Sequence, residues 1–119
     1  MENKSNNLVI YQKFLELLYY THDIVRKYPK SEKFALVSEI KQTVYEALTN
    51  LLFAIKVFNK KDKLNYLNNF DVSLTLLKVQ IRLSYKYQYI SSQNYEAWSS
   101  MLTDISNMLG AWVNSCLKK

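Results

Sequence analysis

Tyr28-Pro29-Lys30-Ser31 holds the only proline of a 119-residue chain that also has a single glycine, and its reading decides how the rest is divided. Proline disfavours helix at the residue before it and punctuates a helix end, so this tetrapeptide marks the first boundary between two long periodic stretches. Upstream, Leu8, Tyr11, Leu15, Leu18, His22 and Val25 recur at intervals of three and four, with Phe14, Leu17, Thr21, Ile24 and Tyr28 on the adjoining stripe. That spacing predicts a helix over about residues 7–28, preceded by a flexible tail at 1–6. Downstream, Ser31 is a suitable cap with Glu32 in the first turn. Phe34, Val37, Ile40, Val44, Leu48, Leu51, Ile55 and Phe58 then carry the period through a second helix over about 32–59.

Asn59-Lys-Lys-Asp62 is the next polar break, and Asp62 is expected to cap a third helix over about 63–90. Leu64, Leu67, Phe70, Leu74, Leu77, Ile81 and Tyr85 form one stripe of it, and Val72, Leu76, Val79, Leu83, Tyr87 and Ile90 a second. Ser91 or Ser92 opens a fourth helix over about 92–117, with Tyr95, Trp98, Leu102, Ile105, Leu109, Trp112 and Cys116 at helical spacing. Tyr85-Lys-Tyr-Gln-Tyr89 alternates with period two, but it lies inside a longer helical period, which favours helix. Four helices of about 38 Å, joined by loops of a few residues, pack as antiparallel neighbours. The expected fold is therefore all-α, an up-down-up-down four-helix bundle filling residues 1–119 as one domain. Gly110 falls inside the fourth helix, where close approach of a neighbour would offset its cost of about 1 kcal/mol relative to alanine.

Composition excludes several classes of function. The N-terminus is polar and no run reaches the roughly 18 apolar residues of a membrane span, so an unexported, cytoplasmic protein is expected. Cys116, the one cysteine, cannot form an internal disulfide, which suits a reducing compartment. A metal site needs several ligands at coordination spacing, and one histidine and one cysteine far apart in sequence do not supply them. His22 sits on an apolar stripe, where a hydrogen-bonded packing role is the ordinary one. A phosphate-cradling glycine loop is impossible with one glycine, and no carboxylate pair is selected by pattern, so neither an enzyme nor a cofactor is expected.

Charge is more informative. Sixteen Lys and Arg against ten Asp and Glu leave a formal +6, a bias toward polyanions. In an up-down bundle Arg26, Lys27, Lys30, Lys33 and Lys86 gather at one end, against Asp23, Glu32 and Glu96. Lys4, Lys56, Lys60, Lys61, Lys63, Lys118 and Lys119 gather at the other, against Glu2 and Asp62. The helix macrodipole favours cations at C-termini and accounts for Arg26, Lys27, Lys60, Lys61, Lys86, Lys118 and Lys119. It leaves Lys30, Lys33 and Lys63 unexplained. It also leaves the row Lys78, Arg82, Lys86, spaced by four with no carboxylate between Asp71 and Glu96. A solvated face interleaves both signs, so an unrelieved row beside Tyr85 and Tyr89 reads as a phosphate-binding track with stacking options. The candidate nucleic-acid-binding residues are Lys78, Arg82 and Lys86, then Arg26, Lys27, Lys30, Lys33 and Lys41. The apolar arcs of the first and third helices are wider than one seam needs, and Tyr11, Tyr19, Tyr20, Tyr45 and Tyr66 cannot all face inward, which points to self-association or a partner protein.

Four segments in register resemble a known family. Tyr28-Pro-Lys-Ser-Glu-Lys-Phe34-Ala-Leu36 is similar to its first hairpin, Leu77-Lys-Val-Gln-Ile-Arg82-Leu to its third helix, Tyr89-Ile-Ser91 with Tyr95 to its third turn, and Met108-Leu-Gly-Ala-Trp112 to its fourth helix. The family comprises four-helix bundles encoded in intervening sequences of large-subunit ribosomal RNA and the accessory variability proteins of diversity-generating retroelements. The Met-Leu-Gly-Ala-Trp segment sides with the retroelement branch. Helix two, reading Ile40-Lys-Gln-Thr43 and Asn50-Leu-Leu-Phe-Ala54, lacks the Arg-Arg and Asn-Ile-Ala-Glu-Gly of the ribosomal branch. The resemblance implies a non-catalytic homopentameric barrel. It further implies binding of RNA and DNA with little sequence preference and association with a reverse transcriptase during mutagenic cDNA synthesis. The alternatives are a protein-interaction bundle without direct nucleic-acid binding, or a protein of the ribosomal intervening-sequence type.

Overall fold

A computed structural model describes residues 4–118, which form four helices in an elongated body of 49 × 25 × 19 Å. These are α1 (Lys4–Val25), α2 (Leu36–Lys56), α3 (Lys60–Lys86) and α4 (Ser92–Leu117), with one 3₁₀ turn at Lys30–Glu32 and no strand among the described residues. Each helix packs on its neighbours in chain order and α4 closes on α1, the expected antiparallel four-helix bundle.

α4 has the expected bounds, and the ends of the other three helices differ from expectation for local reasons. α1 begins at Lys4, inside the expected tail, of which residues 1–3 lie outside the described residues. It stops at Val25 because the Lys27 and Tyr28 amides turn back onto the Ile24 and Val25 carbonyls, both at 3.1 Å, tightening the chain ahead of Pro29. Ser31 does not cap α2. The chain makes a 3₁₀ turn instead, α2 starts at Leu36, and Glu32 reaches forward so that its Oε1 accepts from the Leu36 amide at 3.3 Å. Asn59 rather than Asp62 caps α3, its Oδ1 accepting from the Lys61 and Asp62 amides at 2.8 and 3.2 Å. α3 ends at Lys86 in a Schellman turn: Tyr89 donates to the Ser84 carbonyl and Gln88 to the Tyr85 carbonyl, with Gln88 at φ 62°. That left-handed residue settles the Tyr85–Tyr89 patch as a helix end. Ser91 caps α4, its Oγ accepting from the Asn94 amide at 3.0 Å.

The core is continuous along the bundle. Phe14, Leu17 and Ile24 of α1 are buried, as are Ile40, Val44, Ala47 and Leu51 of α2. Leu67, Phe70, Leu77 and Ile81 complete it from α3, with Trp98, Leu102, Ile105 and Leu109 from α4. Burying each large side chain is worth about 1.5–3 kcal/mol, so these helices hold together by packing rather than by propensity. Polar groups inside are mostly bonded: Trp98 Nε1 donates to Thr21 Oγ1 at 3.0 Å, and Gln80 Nε2 to Thr43 Oγ1 at 3.0 Å. His22 is a half-buried packing residue in hydrogen-bond contact with Tyr45 Oη at 3.1 Å.

Two packing expectations are corrected. Phe34 and Phe58, expected on the α2 stripe, are 88% and 98% exposed because both lie in loops beyond the helix. On the second α3 stripe Ile90 is buried, while Val72, Leu76, Val79, Leu83 and Tyr87 are exposed, so part of the wide apolar arc lies outside the bundle. No neighbouring helix approaches Gly110, since a Cβ built there would meet nothing within 4 Å.

Candidate nucleic-acid interface

The first hairpin and the third turn lie at the same end of the bundle and are tied together there. Tyr89 Oη donates to Glu32 Oε2 at 2.9 Å, and the Tyr28 and Tyr89 rings meet at 5.4 Å. The Glu32 carboxylate, holding its negative charge against that proton, raises the Tyr89 phenol above its ordinary value, with burial adding to the shift. Burial, opposed by the neighbouring Ser84 side chain, pushes the Tyr28 phenol up to about 12.

Both carboxylates of the hairpin are thereby committed to local structure. Glu32 holds Leu36 and Tyr89, and Asp23 pairs with Arg26 at 2.9 Å across one helical turn. The lysines keep their charge unopposed. Lys30, Lys33 and Lys41 have no carboxylate within ion-pair distance among the described residues, and together with Arg26 they line one surface pocket of about 340 Å³. Lys41 enters this group from the second turn of α2. Lys27 is exposed on the same hairpin but does not line the pocket.

Lys78, Arg82 and Lys86 form a separate exposed row on α3, also without a carboxylate in reach among the described residues. At 100° per residue this row borders the exposed apolar stripe Val72, Leu76, Val79 and Leu83. The tyrosines beside it are less available than the sequence suggests. Tyr85 is stacked on Tyr95 at 4.5 Å and 12°, which occupies one of its faces, and Tyr89 is half-buried against Glu32. Sequence reasoning missed Phe34, whose exposed ring lies under the Lys33 ammonium at 5.4 Å.

At the opposite end two lysines have structural partners. Lys60 and Lys61 fall in the first turn of α3, not at the C-terminus of α2, which corrects the macrodipole assignment. Lys63 is buried and its Nζ donates to the Ala54 carbonyl at 2.7 Å, while Lys60 Nζ reaches the Lys118 carbonyl at 3.5 Å. Cations at the start of α3 therefore serve the open carbonyls that end α2 and α4. Glu2, the Lys4 side chain and Lys119, expected here, lie outside the described residues. Cys116 is a buried thiol.

The fold and these surfaces define a small antiparallel four-helix bundle that carries, at its first hairpin, lysines without a carboxylate partner among the described residues, and a basic row along α3. The chain belongs to the bAvd-like family, of accessory variability determinant-like proteins, which it matches over residues 8–116. A solved structure that it resembles is a protein of unknown function from the S23 ribosomal protein family of Bacteroides thetaiotaomicron. The two share a TM-score of 0.84 at 19% identity, over 92% of this chain and 98% of that one, a likeness of fold. No curated protein matches the chain. Neither the family nor this neighbour is a known enzyme. No helix among the described residues is long and apolar enough to cross a membrane.

Proposed function

We propose that this protein is a non-catalytic accessory subunit of a diversity-generating retroelement, holding template RNA or cDNA near the reverse transcriptase while that enzyme copies it mutagenically. What carries the reading is the convergence of Arg26, Lys30, Lys33 and Lys41 on one pocket. There Asp23 pairs with Arg26 alone and Glu32 is held by Leu36 and Tyr89, so that the three lysines have no carboxylate partner among the described residues. Such a surface binds phosphate by releasing counterions, so affinity falls steeply with salt and depends little on sequence. Lys27 and the Lys78, Arg82, Lys86 row extend the track. The protein works in the cytoplasm as a homo-oligomer, a pentameric barrel in the form the family resemblance implies.

Titrating labelled RNA and DNA at low salt tests this against two variants, Lys30→Gln/Lys33→Gln/Lys41→Gln and Lys78→Gln/Arg82→Gln/Lys86→Gln. Each triple should weaken RNA and DNA alike and reduce the log–log salt slope by about two to three, from roughly 0.7–0.9 per lost phosphate contact. Unchanged affinity in both would overturn the reading. A second reading, a protein-interaction bundle with no direct nucleic-acid role, draws on the exposed stripe of α3. It requires that an isolated reverse transcriptase bind the protein while free RNA does not. A reverse transcriptase and a variable repeat beside the gene favour the retroelement role over a ribosomal intervening-sequence role.

A further inference from the structure

The hairpin pocket is not simply cationic. Its lining includes the exposed Arg26, Lys30 and Lys33 and the half-buried Lys41, but its floor is the buried Val25, Tyr28 and Val37, with exposed Pro29 as an apolar wall beside them. Val25, Tyr28 and Val37 belong to the hydrophobic core, so the floor is closed by packed side chains and does not continue into a channel. A bare phosphate gains from the cations and nothing from the floor. An acyl chain would need a longer apolar path than this closed base offers. At about 340 Å³ the pocket stands at the small end of ligand sites, which run from roughly 300 to 1,000 Å³. The ligand that uses both halves is compact, with one flat apolar face and an anionic group beside it.

From this we infer that the pocket seats one unpaired nucleotide, its base against Pro29 and Val37 and its phosphates among Arg26, Lys30, Lys33 and Lys41, so that the protein selects single-stranded over duplex nucleic acid. This rests on the proposed nucleic-acid role and specifies the strand form that the role uses. A duplex keeps its bases stacked and paired and offers only phosphates to the cations, leaving the floor empty. A second, independent feature lies beside the pocket. Phe34 is 88% exposed, at a cost in hydration that the fold does not require, and Lys33, a lining residue, sits 5.4 Å from its ring centroid. An exposed aromatic next to a phosphate-binding lysine is the platform on which the neighbouring base of a single strand stacks.

The test is fluorescence anisotropy with labelled single strands of about 20 nucleotides, RNA and DNA, and their matching duplexes, compared per phosphate at one salt concentration. Single strands should bind at least about tenfold more tightly. Phe34→Ala, which removes no buried contact, should weaken single strands by about tenfold, the effect of losing one stacked base, and duplexes by less than about twofold. Adenosine monophosphate should displace the single strand at lower concentration than inorganic phosphate does. Equal affinity for the two strand forms, an equal loss on both in Phe34→Ala, or equal competition by phosphate overturns the nucleotide pocket while leaving phosphate binding by the hairpin intact. No binding of either form overturns the nucleic-acid role and the pocket together.

Discussion

Tyr28 and Lys63 are both polar side chains that the bundle buries, and they resolve the cost differently. Tyr28 Oη is buried without a hydrogen-bond partner, and its phenol is pushed up to about 12. Below pH 10 folded and unfolded chains both hold the proton. Between 10 and about 12 the unfolded chain releases it while the folded chain keeps it, so stability falls as pH rises through that window. Tyr28→Phe should remove that part of the decline, seen as a smaller loss of Tm from pH 10 to 12 than in the parent. At pH 7 it should be neutral or stabilising by up to about 1 kcal/mol, because an unpaired hydroxyl is deleted. Lys63 finds its partner in the Ala54 carbonyl, so Lys63→Met, which keeps the length of the chain and strands that carbonyl, should cost about 1.5–3 kcal/mol in urea unfolding. Neither role is legible in sequence. Lys63 stands in a run of surface-type residues, and only the return of α3 across the end of α2 buries it.

At the scale of elements, the four helices were legible because each repeats its apolar residues with the helical period over more than twenty positions. The ends of α4 were legible too, from Ser91 at its start, but those of the other three helices were read only to within a few residues, since with one proline and one glycine the usual stop signals are scarce. The ends rest instead on side chains that do not announce them: Glu32 reaching Leu36, Asn59 capping α3, Gln88 taking the left-handed position that glycine normally fills. Gln88→Gly should therefore stabilise the protein by about 0.5–1 kcal/mol, and Asn59→Ala should destabilise it by about 0.5–2 kcal/mol, both read from urea midpoints. The candidate site followed the same rule. Arg26, Lys30 and Lys33 could be gathered from sequence because they share a hairpin, whereas Lys41, a candidate by charge, is brought to their pocket by the pitch of α2. Phe34 keeps step with Val37 and Ile40 if helix begins at residue 32. Because residues 33–35 form a turn instead, the ring swings outward.

At the scale of the whole molecule, the stripe Val72, Leu76, Val79, Leu83 and the row Lys78, Arg82, Lys86 lie side by side on α3 and respond to salt in opposite ways. Periodicity alone could not say which α3 stripe faces inward, since both fit a helix and only the placement of α2 and α4 decides. If copies of the chain associate through the outer stripe, they bring like-charged rows together on molecules that already carry +6. That repulsion is screened within a Debye length, about 10 Å at 0.1 M salt, whereas apolar burial is not weakened by salt. Raising salt from about 0.05 to 0.5 M should thus tighten self-association by light scattering while it weakens RNA binding, whose counterion release runs the other way. Leu76→Glu/Val79→Glu should return the mass to that of a 14.1 kDa monomer with helical circular dichroism unchanged, because both side chains are exposed in the bundle itself. A parent protein that stays monomeric at every salt concentration removes this face as a self-contact and the homo-oligomer with it. Association that loosens with salt in step with RNA binding would mean that charge, rather than the apolar stripe, holds the copies together.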